Sequence, residues 1–278
     1  MNTRFQLKLL SIGILASILL PLSASRAAGT PDSNQAPSAG DEPIYYLAGH
    51  GDLDIGVEDG QLDLHVHVHA GGIIDGNALA EDTPFDPDKA IIVGTPGAKV
   101  LRPAGSIWNP TGADVNQPLW ILPQAAQEGL PMFGLATEDI DPGIFVGDTV
   151  TLSLRHVKGP GAISLWENDA FGQQQFIFST HDGLLSTVLP VGLHAHNNWG
   201  FTKPGTYTLI FEVTGTLVAG GSTRALGIYT FLISEKPLPL RILPGDVNLD
   251  GVVNQLDLAV VQSNMGQTVP TWPPAQNQ

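Results

Sequence analysis

The chain has 278 residues, no cysteine, and 27 acidic against 12 basic residues, a formal charge of −15 at neutral pH. Its length suffices for one large β-sandwich or two small domains. The absence of cysteine excludes disulfides, thiolate nucleophiles and thiolate metal sites together. The negative balance makes nucleic acid and anionic membrane surfaces poor partners, and cations natural ones.

Residues 1–27 read as a signal peptide. Arg4 and Lys8 form a positive start, Leu9 to Leu22 is an apolar core too short to span a bilayer comfortably, and Ser25-Arg26-Ala27 is a small-x-small cleavage site. An exported protein without a transmembrane anchor is expected, acting outside the cell or at its surface. Residues 28–43 are almost free of large apolar side chains and are expected to be a disordered leader.

With 32 Gly and 22 Pro, the remainder reads as rich in strands and loops. Structure is expected from Ile44, with Ile44 to Leu47 a short strand followed by a polar corner that holds His50 and Asp52. Leu53 to Val57, the turn Glu58-Asp59-Gly60 and Gln61 to His69 form a hairpin, because Asp-Gly accepts the positive φ of a tight turn. Alternation places Leu62, Leu64, Val66 and Val68 on one face, and Asp63, His65, His67 and His69 on the other. That second face is either a solvated polar surface or an outward chelate for zinc or copper, which imidazole suits.

An acidic loop over Ala78 to Lys89 leads to a strand at Lys89 to Val93, and Pro103 to Pro118 is a long connection containing Trp108. Trp120 to Pro123 and Met132 to Leu135 flank Gln124 to Gly129, where a turn of helix is expected. Gln124 is assigned to satisfying buried backbone groups. From Thr149 onward six strands follow regularly, at 149–157, 162–167, 174–179, 187–191, 206–218 and 223–234. Gly159-Pro160-Gly161 and Ala219-Gly220-Gly221 supply hairpin turns. This spacing predicts an all-β, antiparallel sandwich of Greek-key or jelly-roll type over 44–235.

Between two of these strands lies GLHAHNNWGFTKPGTY at 192–207. His194 and His196, two apart on an extended chain, point the same way about 6 to 7 Å apart at the backbone and could grip one cation. With His50 and Asp52 they form a candidate transition-metal set, and His65, His67 and His69 form a weaker accessory cluster. Beyond the turn, Tyr207, Leu209, Phe211 and Val213 share an apolar face.

A proline-bearing linker at 236–244 precedes Asp246-Val-Asn248-Leu-Asp250-Gly251-Val252-Val-Asn254-Gln-Leu-Asp257. This stretch fits a calcium loop of EF-hand type, with oxygen ligands from Asp246, Asn248, Asp250, Asn254 and Asp257 and a backbone carbonyl from Val252. A helix is expected over Gln255 to Asn264, presenting Leu256, Val260 and Met265, and 267–278 reads as a disordered tail. Calcium is the expected ion, with zinc or copper as the second candidate.

Two resemblances accompany these readings. The runs GHGDLDIG at 49–56, WILPQAAQEGLPMFGLATEDI at 120–140, VKGPGAISLWENDAFG at 157–172 and HAHNNWGFTKPGTYTLIFEV from His194 resemble the choice-of-anchor M domain, also described as a surface-anchored protein repeat, over 44–235. That resemblance implies a β-rich cell-surface domain whose relatives often occur beside metal-uptake ABC transporters. GDVNLDGVVNQLDLAVVQSNMG at 245–266 resembles one dockerin type I repeat, which implies a cohesin-like receptor as partner, or docking on the chain's own sandwich.

Three functions are consistent with the sequence. The leading one is a non-catalytic binding or display protein attached to extracellular partners through a calcium-dependent tail. The second is a zinc or copper binder using His50, Asp52, His194 and His196. The third is a component of polysaccharide degradation, for which Glu138, Glu167 and Asp169 are candidate carboxylates. No Gly-x-Ser-x-Gly, His-Glu-x-x-His or phosphate-loop motif is present, and a non-enzymatic protein is expected.

Overall fold

A computed structural model describes residues 42–237 and 253–265. The signal peptide, nearly all of the leader, most of the linker, the start of the calcium loop and the tail lie outside the described residues. Strands run in the order β1 (Ile44–Glu58), β2 (Gln61–Val68), β3 (Ile73–Ile74), β4 (Asn77–Ala78), β5 (Thr83–Phe85), β6 (Ala90–Gly94), β7 (Lys99–Leu101), β8 (Pro118–Leu122) and β9 (Pro131–Ala136). They continue as β10 (Thr149–Lys158), β11 (Ile163–Asn168), β12 (Gln174–Ser179), β13 (Ser186–Pro190), β14 (His194–Ala195), β15 (Asn198–Phe201), β16 (Gly205–Thr216) and β17 (Ser222–Ile233). One helix follows, α1 (Gln255–Asn264).

The domain is all-β and has two sheets. The larger runs β13-β10-β16-β17-β6-β1-β2-β5, with β9 beside β1, β14 beside β9, and the small β3–β4 pair along β1. The smaller runs β12-β11-β15-β8-β7. The expectation of purely antiparallel pairing needs correction, because β6 lies parallel to both β1 and β17, and β9 lies parallel to β1. A parallel neighbour must come from a distant part of the chain, so no local turn announces it. Gln124 to Gly129 forms turns instead of the expected helical turn.

The alternation read from sequence matches the burial. Leu62, Leu64, Val66 and Val68 are buried, as are Tyr207, Leu209, Phe211 and Val213. The turn at Asp59 and Gly60 has positive φ at both residues and sets Glu58 opposite Gln61. Aromatic side chains join the two sheets: Trp199 of β15 lies 5.0 Å from Phe231 of β17 and donates its indole N–H to the Phe133 carbonyl of β9 at 2.7 Å. Phe201 meets Phe231 at 5.3 Å, and Phe178 meets Phe211 at 5.6 Å.

The C-terminal segment corrects the EF-hand and dockerin reading. An EF-hand needs a helix on each side of its loop, and a dockerin packs such units together. Among the described residues α1 is the one α-helix. Asn254 accepts the Leu256 N–H at 2.7 Å, and Asp257 accepts the Asn254 N–H at 2.7 Å, so two of the six expected calcium ligands form a reciprocal N-terminal cap. Asp246, Asn248, Asp250 and Val252 lie outside the described residues. Leu256 and Met265, expected to dock the helix, are exposed.

Trp199 is 1% exposed and bridges the sheets, so Trp199→Ala is expected to lower stability by about 3–5 kcal/mol. A urea midpoint unchanged from the parent protein would contradict this reading of the core.

Candidate metal centre

The site begins with a change of partners in β1. Its first residues, Ile44 to Tyr46, pair with β6, whereas Gly49 to Asp54 pair with β9 and Gly51 to Glu58 pair with β2. Gly49 sits between the two regimes with φ 96°, and a Cβ there would stand 2.7 Å from the Gly72 Cα. Only glycine fits that backbone and that approach. Beyond it, Leu53 and Ile55 turn to the core, while His50, Asp52 and Asp54 turn to the opposite face.

The register brings that face together with β2. Asp52 lies opposite His67 and Asp54 opposite His65, and the His69 N–H donates to the His50 carbonyl at 3.0 Å. On the other side of β1, Asp52 lies opposite Gly134 and Asp54 opposite Ala136, and Ala136 in turn faces His194 of β14. Small residues on β9 therefore leave a trough over which His194 can reach toward β1. Gly134 has no alternative here, because a Cβ would run into the Asp52 carboxylate and come within 2.5 Å of the Ala195 carbonyl oxygen.

At the centre is the Asp52 carboxylate, 1% exposed. Its Oδ2 lies 3.1 Å from His69 Nε2, 3.3 Å from His50 Nε2 and 3.7 Å from His194 Nε2, and the His50 and His194 Nε2 atoms are 3.1 Å apart. All four ligand atoms lie within 4.8 Å of one another. A metal bonded tetrahedrally to nitrogen and oxygen at about 2.0–2.1 Å spaces its ligands about 3.3–3.4 Å apart, a spacing that the separations around Asp52 Oδ2 and between His50 and His194 bracket. The Asp52 Oδ1 is buried without a hydrogen-bond partner, a further acceptor with nothing to accept.

Two of the imidazoles are oriented from behind. His194 Nδ1 meets the Glu138 carboxylate at 2.7 Å, and His69 Nδ1 meets Asp82 at 3.3 Å, while Asp82 also accepts the Ala70 N–H at 2.8 Å. A carboxylate on Nδ1 can keep a proton there, so that Nε2, which faces the centre, is the nitrogen free to give up its proton to an incoming ion. The three histidine side chains keep about a quarter of their surface in solvent, at 25%, 27% and 28%, so an ion can reach them.

Electrostatics agree with this arrangement. Burial alone would raise the Asp52 pKa. The hydrogen bond from His50, the charges of His50 and His194 and the hydrogen bond from His69 outweigh burial and hold the carboxyl below its ordinary value. His196 is held below its ordinary value, first by burial and then by the nearness of His50 and His194. Asp54, on the next rung of the same face, is raised to about 6 by burial and by the charge of Asp139.

Of the transition-metal residues expected from sequence, His50, Asp52 and His194 converge. His196 does not join them: its ring stands edge-on to His50 at 4.7 Å and to His194 at 5.1 Å. The fourth ligand is His69, which alternation alone assigns to a separate outward cluster. His65 pairs with Asp63 at 2.9 Å, and His67 stacks on His69 at 4.9 Å. Gln124 accepts the Asn168 N–H at 2.7 Å and donates to the Asn168 carbonyl at 3.3 Å. Glu138 serves His194, and Asp169 accepts the Phe171 and Gln173 N–H groups of its own loop.

No family model, curated protein or solved structure matches the chain. The resemblance to the choice-of-anchor M domain therefore yields no family assignment, and the dockerin resemblance fails on the single capped helix. Calcium is replaced as the expected ion, because a set of three imidazoles and one carboxylate suits zinc or copper, whereas calcium takes six to eight oxygens. The display reading and its cohesin-like receptor rested on the calcium module and fall with it. Among the described residues, no helix is long and apolar enough to cross a membrane.

Glu138 is exposed, so Glu138→Ala should leave the fold intact. It is expected to weaken zinc binding about 10–100-fold by releasing the His194 ring. Competition against a chromophoric chelator measures this, and an unchanged affinity would remove Glu138 from the site.

Proposed function

We propose that the protein binds a divalent transition metal, zinc in the first instance, through His50, Asp52, His69 and His194. The observation that carries this is the convergence of three Nε2 atoms on one buried carboxylate oxygen at 3.1 to 3.7 Å. The same nitrogens that now hydrogen-bond to one another and to Asp52, those of His50 and His194 among them at 3.1 Å, are the ones that would turn to a shared ion. Copper is the second candidate on ligand chemistry alone.

We take the role to be binding and not turnover. Four protein ligands complete a tetrahedral shell, whereas catalytic zinc sites keep one position for water or substrate. The signal-peptide pattern at 1–27 supports action outside the cell, where a cysteine-free chain must rely on imidazole and carboxylate to hold such a metal. The two sheets are read as a sandwich whose aromatic interior keeps β1, β2, β9 and β14 in register, so that ligands from distant segments meet.

The test is metal content. Purified protein equilibrated with zinc and then desalted is expected to retain the metal, and a His50→Ala/His194→Ala variant is expected to lose the tight phase. Zinc at background level in the parent, or a tight phase unchanged in the variant, would overturn the proposal. Copper retained in preference to zinc would reassign the ion and keep the site. Because ligating imidazoles must be free of protons, affinity is expected to fall as the pH is lowered, which the same equilibration repeated at lower pH measures.

A further inference from the structure

We infer that the same face carries a second cation position, held by Asp54, His67 and Asp139. The ligand atoms of these three lie within 4.8 Å of one another, and none of them belongs to the first set. The inference goes beyond the function proposed above, since its residues, affinity and test are separate.

Three observations converge on it. Asp54 is 4% exposed, one rung along β1 from Asp52, and its carboxylate lies within 4.8 Å of the carboxylate of Asp139. Two carboxylates this close, one of them buried, repel unless a proton or a cation lies between them. Gly56, on the rung beyond, lacks a side chain, and Asp139 stands over it, with its Cβ 3.6 Å from where one would begin. The loop carboxylate is thereby brought down onto the strand face.

The third observation is His67, whose Nδ1 is 3.7 Å from Asp54 Oδ2 while its Nε2 is buried without a partner. A competing set of His67, His69 and Asp82 also lies within reach. However, His69 Nε2 is turned to Asp52, and Asp82 is engaged by His69 Nδ1 and the Ala70 N–H. That leaves His67 to the Asp54 side.

Strand geometry sets the relation between the two positions. Asp52 and Asp54 are two residues apart on an extended strand, a repeat of about 6.5 Å. Bimetallic hydrolytic centres hold their ions about 3.5–4 Å apart across a shared ligand. The two positions here are neighbours without a common ligand, so each fills independently. With two carboxylates and one imidazole, the second accepts borderline divalent ions such as zinc or manganese, with water completing the shell. It has one ligand fewer than the first and an exposed Asp139, so it is the weaker and faster-exchanging of the two.

Equilibrium dialysis against zinc, with metal counted by mass spectrometry, tests this. The parent protein is expected to take up about two ions per chain in a tight and a weak phase. Asp139→Asn, at an exposed position that does not threaten folding, should abolish the weak phase and spare the tight one. His50→Ala/His194→Ala should do the reverse. One ion per chain, lost on changing His50 and His194 and untouched by Asp139→Asn, would overturn the second position while leaving the first standing. No zinc uptake at all would overturn both.

Discussion

A carboxylate with almost none of its surface in water must find positive charge or hydrogen-bond donors, and Asp52 is the group on which this face depends. Its Oδ2 is answered by three imidazole nitrogens, and its Oδ1 is answered by no protein group. Everything that places Asp52 is structural. Its strand is flanked by β2 on one side and β9 on the other, its neighbours Leu53 and Ile55 are locked in the core, and Gly134 vacates the space that its side chain occupies. The histidines can rotate, but the aspartate cannot leave.

That placement follows from the way β1 is used. A straight 15-residue strand would serve one pair of neighbours along its whole length. The positive-φ glycine at 49 lets the chain pair with β6 before it and with β2 and β9 after it. In the later part core and polar side chains alternate, with Leu53 and Ile55 buried in the core and His50, Asp52 and Asp54 on the opposite face. A division of labour within one element explains why hydrophobic anchoring and ion binding sit next to each other without a domain boundary.

Much of this was legible in the sequence, and the failures have physical causes. The Asp59-Gly60 turn fixes Glu58 opposite Gln61, and counting back from it puts Asp54 against His65, Asp52 against His67 and His50 against His69. Alternation alone sorts residues onto faces and leaves His69 in a cluster of its own; counting register from the turn joins it to His50. The contribution of β9 and β14 has no such local signal, since parallel pairing between β1 and β9 is decided by the whole core. The two-residue period that would have aimed His194 and His196 at one ion stops where β14 ends, at Ala195. At the C-terminus the aspartate and asparagine pattern of an ion loop also spells a helix cap, and spacing cannot separate the two uses of the same oxygens.

The most separated ligands, His50 and His194, are 144 residues apart in the chain and 3.1 Å apart in space. An ion shared by them is a removable cross-link closing a loop of that length. In the chain-entropy treatment such a closure restricts the unfolded ensemble by about 5 kcal/mol. A cysteine-free chain would thereby acquire the kind of reinforcement that other proteins obtain from disulfides, with availability of the metal, instead of an oxidising environment, as the switch.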